Sequence, residues 1–92
     1  MSVVEKEVTV ANKKGMHARP AALFVQLVEK LNVAVTVVKG AEKINGKSIM
    51  GILMLGAQCG TILKLVVEGD NAESAMAELE VFFGKQEEEF LS

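Results

Sequence analysis

The chain has one histidine and one arginine, and they stand two residues apart in Gly15-Met16-His17-Ala18-Arg19-Pro20. Pro20 suits the first turn of a helix, where its missing N–H is no loss and its fixed φ is already helical. His17 therefore falls at a loop-to-helix junction, beside backbone N–H groups that have no intrahelical partner. Those groups, with the positive end of the helix dipole, favour a dianion. The Arg19 guanidinium adds a planar fork that matches phosphate oxygens. The same positive field disfavours a protonated imidazole, and a neutral ring nitrogen is what a nucleophile needs. Gly15 allows close backbone approach and removes side-chain cover. The pattern points to a transient phosphoryl acceptor at His17. A lone histidine at a helix start is also an ordinary cap or surface residue. Only its conjunction with Gly15, Arg19 and Pro20 separates the two readings.

No competing catalytic set accompanies it. A second histidine is absent, and neither an Asp nor a nucleophilic Ser lies near His17 in the sequence, so nothing argues for a hydrolase. The carboxylates are scattered along the strands and the last helix, where solvated surface is the simpler role. A relay in which the protein is itself the substrate fits better than turnover. Cys59 is the single cysteine, so no internal disulfide forms, and one Cys with one His cannot assemble a zinc site. Neither metal nor cofactor is called for. Gly46-Lys47-Ser48 looks like the end of a P-loop, but the glycine required five residues before Gly46 is Ala41, and Gly40 is one residue too far.

Composition narrows the function classes further. Half of the 92 residues are apolar, about a quarter are charged and the net charge is −2, the balance of an ordinary globular domain. No basic excess coats a phosphate backbone, and with no Trp or Tyr and four Phe there is no base-stacking platform. Nucleic-acid binding is disfavoured. Met1-Ser-Val-Val-Glu-Lys-Glu7 lacks a basic start and an apolar signal core, and the chain has no disulfide, so a cytoplasmic location is expected. The uncharged stretch from Ser48 to Leu63 is short for a bilayer core of roughly 30 Å and is interrupted by glycines. A buried helix, a turn and a strand explain it better than a membrane span.

The elements that must position His17 follow from periodicity. Val4, Val8 and Val10 alternate with Glu5, Glu7 and Thr9 as a strand, and Ala11-Asn-Lys-Lys-Gly15 breaks it. From Ala18, the residues Ala21, Phe24, Leu27, Val28 and Leu31 trace one apolar helical face. Val33–Val38 is predicted as a buried strand, with Lys43-Ile44-Asn45 returning after a turn. Ser48 is a good N-cap for a short helix through about Leu55. Ile62–Glu68 reads as a strand. Asp70-Asn-Ala-Glu73 reads as a capping box for a helix whose stripe is Ala72, Ala75, Met76, Leu79, Phe82 and Phe83. The prediction is one domain over residues 1–92, with a core over 3–85 and an acidic, solvated tail over 86–92 that includes Glu87-Glu-Glu89. The order βαββαβα gives an α+β fold, in which three helices cover one face of a four-stranded, mostly antiparallel sheet.

Two segments, Asn12-Lys-Lys-Gly-Met-His-Ala-Arg-Pro-Ala21 and Gly46-Lys-Ser-Ile-Met-Gly-Ile-Leu53, resemble the signature segments of the HPr family. These are the histidine-containing phosphocarriers of the sugar phosphotransferase system. The resemblance covers nearly the whole chain, through Leu55, Gly60 and Glu68-Gly69-Asp70, but shows no clear match after Gly84. It implies an open-faced β-sandwich and a His17 that takes a phosphoryl group on Nδ1 from enzyme I and passes it to IIA domains of sugar permeases. It also implies that Arg19 and the helix-start N–H groups stabilise that group. A monomer is expected, and paralogues that lack the histidine are excluded by His17 itself.

Ser48 matches the family's regulatory serine, a target of a serine kinase/phosphorylase. A phosphate there would place charge beside the docking surface and repel acidic partners. The alternative is a serine that caps its helix and is never modified. Met16, Ile49, Met50 and Leu53 are candidates for an exposed apolar patch around His17, on which adaptable methionines suit several partners. The sugar served, and the choice between a sugar branch and a nitrogen-linked branch, are not encoded in these residues.

Overall fold

The structure is a computed structural model that describes residues 2–91. Strand β1 (Ser2–Thr9) alternates as its sequence predicts, burying Val8 and exposing Glu5, Glu7 and Thr9. Helix α1 (Ala18–Leu31) has Pro20 in its first turn and buries Ala21, Phe24, Val25, Val28 and Leu31 along one stripe. It ends at Asn32, whose left-handed backbone (φ 55°) turns its N–H onto the Glu29 carbonyl at 3.2 Å. Strand β2 (Ala34–Lys39) and strand β3 (Glu42–Asn45) form a hairpin, and the short helix α2 (Ile49–Met54) follows. Strand β4 (Ile62–Gly69), helix α3 (Ala72–Phe83) and a last short helix α4 (Glu87–Leu91) complete the chain.

The four strands lie in the order β1-β4-β2-β3, and every neighbouring pair is antiparallel. Because side chains alternate, one face of the sheet presents Val8, Leu63, Leu65, Val67, Val35 and Val37 to the helices, and all six are buried. The other face carries Glu5, Glu7, Lys64 and Glu68 in solvent. This is the predicted α+β arrangement. It departs from the sequence reading in one strand: Val33–Val38 is not buried throughout, since Ala34 is exposed and Thr36 and Val38 are half-covered on the open face.

Between sheet and helices, Phe24 of α1 packs on Phe82 and Phe83 of α3, with ring centroids 5.6 and 5.4 Å away. Two further expectations are corrected. Helix α3 starts from Asn71 rather than from an Asp70 capping box, and the Asn71 amide donates to the Leu31 carbonyl at 3.2 Å instead of capping its own helix. That bond ties the end of α1 to the start of α3. The solvated tail expected at Glu87–Glu89 is helix α4, with Phe90 buried against Phe82 at 5.1 Å. The buried Phe90 ring, together with the Gln86 and Glu87 hydrogen bonds, holds this short acidic segment on the core. Among the described residues no helix is long and apolar enough to cross a membrane.

Candidate functional site

His17 is the N-cap residue of α1, with an extended backbone (φ −87°, ψ −169°). Its carbonyl accepts the Ala21 N–H at 3.0 Å, while its side chain makes no capping bond. The N–H groups of Ala18 and Arg19 therefore precede the first intrahelical bond, and Pro20 has none to offer. The imidazole is 39% exposed. Arg19 is exposed beside it, and no described residue pairs with its guanidinium.

The loop that delivers His17 is held from below. Asn12 accepts the Gly15 N–H at 2.9 Å through its carbonyl, and the Met16 N–H donates to the Ala57 carbonyl at 2.8 Å. Gly15 sits at φ +71°, and a Cβ there would come within 2.7 Å of the Ala57 oxygen. Only glycine meets both conditions, so Gly15 serves the close approach of two backbones. The turn after α2 is in this way fastened to the turn before α1.

The C-terminal segment braces the same loop from the other side. His17 Nε2 lies 2.8 Å from Glu87 Oε1, and Asn12 Nδ2 donates to that same oxygen at 2.9 Å. Gln86 brackets the loop, its amide donating to the Ala11 carbonyl at 2.9 Å and its oxygen accepting from the Lys13 N–H at 3.4 Å. The hydrogen bond from His17, then that from Asn12, holds the Glu87 carboxyl below its usual value of 4.5. The charge of Lys14 acts in the same direction, as does that of His17 whenever its ring is protonated, and partial burial opposes them. Glu87 was beyond the reach of sequence reasoning, which saw only an acidic run. The available signal was Phe90, an apolar residue just past that run.

Ser48 lies at the start of α2, where its Oγ accepts the Gly51 N–H at 3.0 Å, as the sequence predicts for a cap. The apolar patch is rearranged. Met16 belongs to the buried core and Leu53 is half-buried against it, whereas Ile49 and Met50 are exposed, Met50 by 67%. Met54, 77% exposed, joins them, and its spacing of four from Met50 on a helix was the signal for it. Gly46 of the P-loop-like run donates its N–H to the Val35 carbonyl at 2.7 Å, and a Cβ there would meet the Val35 side chain at 2.9 Å. That glycine serves strand packing, not phosphate binding.

Comparison with known proteins agrees with this geometry. A family profile described as "PTS HPr component phosphorylation site" matches residues 4–85. The phosphocarrier protein HPr of Treponema pallidum is 41% identical over 87 residues, covering 95% of this chain and 99% of that protein. The HPr-like protein Crh of Halalkalibacterium halodurans is 40% identical over 84 residues, covering 91% of this chain and all of that protein, 100%. The crystal structure of a phosphocarrier protein HPr from Bacillus anthracis superposes with a TM-score of 0.83 at 38% identity, covering 89% and 98% of the two chains. A one-histidine loop set on an uncapped helix, an open four-stranded sheet and a match through residue 85 lead to one assignment: the chain belongs to the HPr family of phosphocarriers of the phosphotransferase system.

Proposed function

We propose that His17 carries the phosphoryl group, accepting it on Nδ1 from phosphorylated enzyme I and donating it to IIA components of sugar permeases. The observation that carries this reading is the uncapped start of α1, where the imidazole leaves the helix N–H groups free. A transferring phosphoryl group needs in-line placement and charge stabilisation more than covalent assistance from the acceptor protein. The helix start and the Arg19 guanidinium, unpaired among the described residues, supply that stabilisation. No metal enters the step.

Ser48 is the second proposed phosphorylation position, a regulatory one served by a serine kinase. Its hydroxyl stands next to the exposed Ile49 and Met50, so a phosphate on it would charge the edge of the apolar patch. That patch is the proposed docking surface for enzyme I and the IIA components.

Incubation with phosphoenolpyruvate and enzyme I tests the main reading. The wild-type protein should take up acid-labile phosphate and the His17→Ala variant none. Acid-labile uptake by His17→Ala at the wild-type level would refute it.

A further inference from the structure

We propose that Glu87 is a positioning residue for His17: its carboxylate keeps the imidazole proton on Nε2, leaves Nδ1 as the nucleophile, and faces the positive charge that the ring gains on phosphorylation. The inference rests on the reading of His17 as the phosphoryl acceptor. It extends that reading to a residue beyond the 4–85 family match.

The geometry fixes Glu87 on three sides. Its side chain is 18% exposed, less than half the exposure of the imidazole it touches. Asn12 is buried, and its amide donates both to Glu87 Oε1 at 2.9 Å and to the Gly15 carbonyl at 3.1 Å. Reversing that amide would set its oxygen against two acceptors, so the orientation is decided by these two bonds. Its own Oδ1 is buried and finds no partner among the described residues. Phe90, one turn further along α4, anchors the helix in the core, and Gln86 ties its start to the His17 loop. Glu87 is therefore held against His17 and does not merely reach it from solvent.

An ionised carboxylate has no proton to give, so the 2.8 Å contact requires the proton on Nε2. A neutral ring with Nε2–H carries its lone pair on Nδ1. In the transfer, that lone pair forms the new N–P bond while the bond between phosphorus and the donor's nitrogen breaks, and its electron pair stays with the donor. No proton leaves His17. The product is an Nδ1-phosphoimidazolium whose positive charge is delocalised to Nε2–H, against the carboxylate. A carboxylate behind a nucleophilic or basic histidine does the same two things in hydrolases, fixing the tautomer and stabilising the charged ring. Here it also offsets the field of the helix start, which alone would penalise that positive ring.

The test uses the full-length protein and phosphoramidate, a small donor whose N–P bond breaks to release ammonia, so that partner docking plays no part. Long-range nitrogen–proton NMR at about pH 8.5, where an ordinary imidazole is neutral, reads the His17 tautomer. The wild-type protein should hold the proton on Nε2 alone. Glu87→Ala should show a measurable share of the Nδ1–H form, and Glu87→Gln, whose amide oxygen still accepts, should keep the Nε2–H form. Both variants should accept phosphate about 10- to 100-fold more slowly than wild type. A wild-type ring protonated on Nδ1, or a Glu87→Ala rate within roughly twofold of wild type, a change below that range, would overturn the inference. If His17→Ala took up phosphate as wild type does, the acceptor assignment itself would fail. The tautomer spectra do not depend on phosphorylation, so the two failures are told apart.

Discussion

At the start of α2 the Ser48 side chain turns back onto its own helix and caps it, while at the start of α1 the His17 side chain turns away and leaves its helix uncapped. Both residues have extended backbones at N-cap positions, and both follow a tight turn. The Ser48 hydroxyl satisfies the Gly51 N–H, so that helix start spends its side chain on one of its own orphan donors. The His17 ring satisfies none and is held by Glu87 from the far end of the chain, so the positive helix end stays open toward an incoming anion. A side chain bound to its own helix stabilises the fold. A side chain held by a distant element is positioned, and the helix end keeps its potential for a ligand.

The largest effect on this contrast is expected from Gly15→Ala, which attacks the loop that sets His17 apart from a normal cap. The φ of +71° and the 2.7 Å approach to the Ala57 oxygen both penalise a side chain. The left-handed conformation alone costs roughly 1–2 kcal/mol, and the close contact adds to it. Thermal unfolding should show Tm lower by about 10 °C or more for a domain of this size. An unchanged Tm would mean that the two turns are not locked together.

A smaller effect separates the two roles of Ser48. Ser48→Ala removes the cap and should cost about 1 kcal/mol, or about 4–8 °C in Tm, with phosphoryl acceptance from enzyme I unchanged. Ser48→Asp keeps a capping oxygen, so it should retain stability while its charge beside Ile49 and Met50 slows acceptance from enzyme I. Equal acceptance rates in the two variants would show that charge at this position has no bearing on docking.

The smallest effect is a pH dependence carried by Glu87. Its carboxyl titrates below 4.5 in the folded protein, so between the two values the unfolded chain binds the extra proton. The stabilisation is present above about pH 4.5 and is lost as pH falls through the lower, folded value. Urea unfolding of wild type and Glu87→Gln should therefore differ at neutral pH and converge in acid. A difference that grows in acid would contradict the depressed carboxyl.

The alternation of β1 and the stripes of α1 and α3 were legible because each is a local period written in consecutive residues, such as Ala21, Phe24, Val28 and Leu31, whereas the nearly all-apolar run of β2 hid its open face. The Ser48 cap was legible for the same reason. The α3 cap was not: Asp70 and Glu73 satisfy the local pattern, but Asn71 is claimed by the Leu31 carbonyl, a contact no local window contains. Met16 was misjudged because its neighbours in sequence belong to the site while its side chain belongs to the core. Glu87 was hidden most deeply. A run of three glutamates reads as solvated, and only the tertiary docking of Phe90 brings one of them to a histidine seventy residues away.

The most direct test of the central claim is phosphorus–nitrogen coupling in nitrogen-15-labelled protein after phosphorylation by enzyme I and phosphoenolpyruvate. The account predicts phosphorus bonded to Nδ1 of His17, with the ring proton still on Nε2. Phosphorus on Nε2, the nitrogen that Glu87 holds, would contradict it.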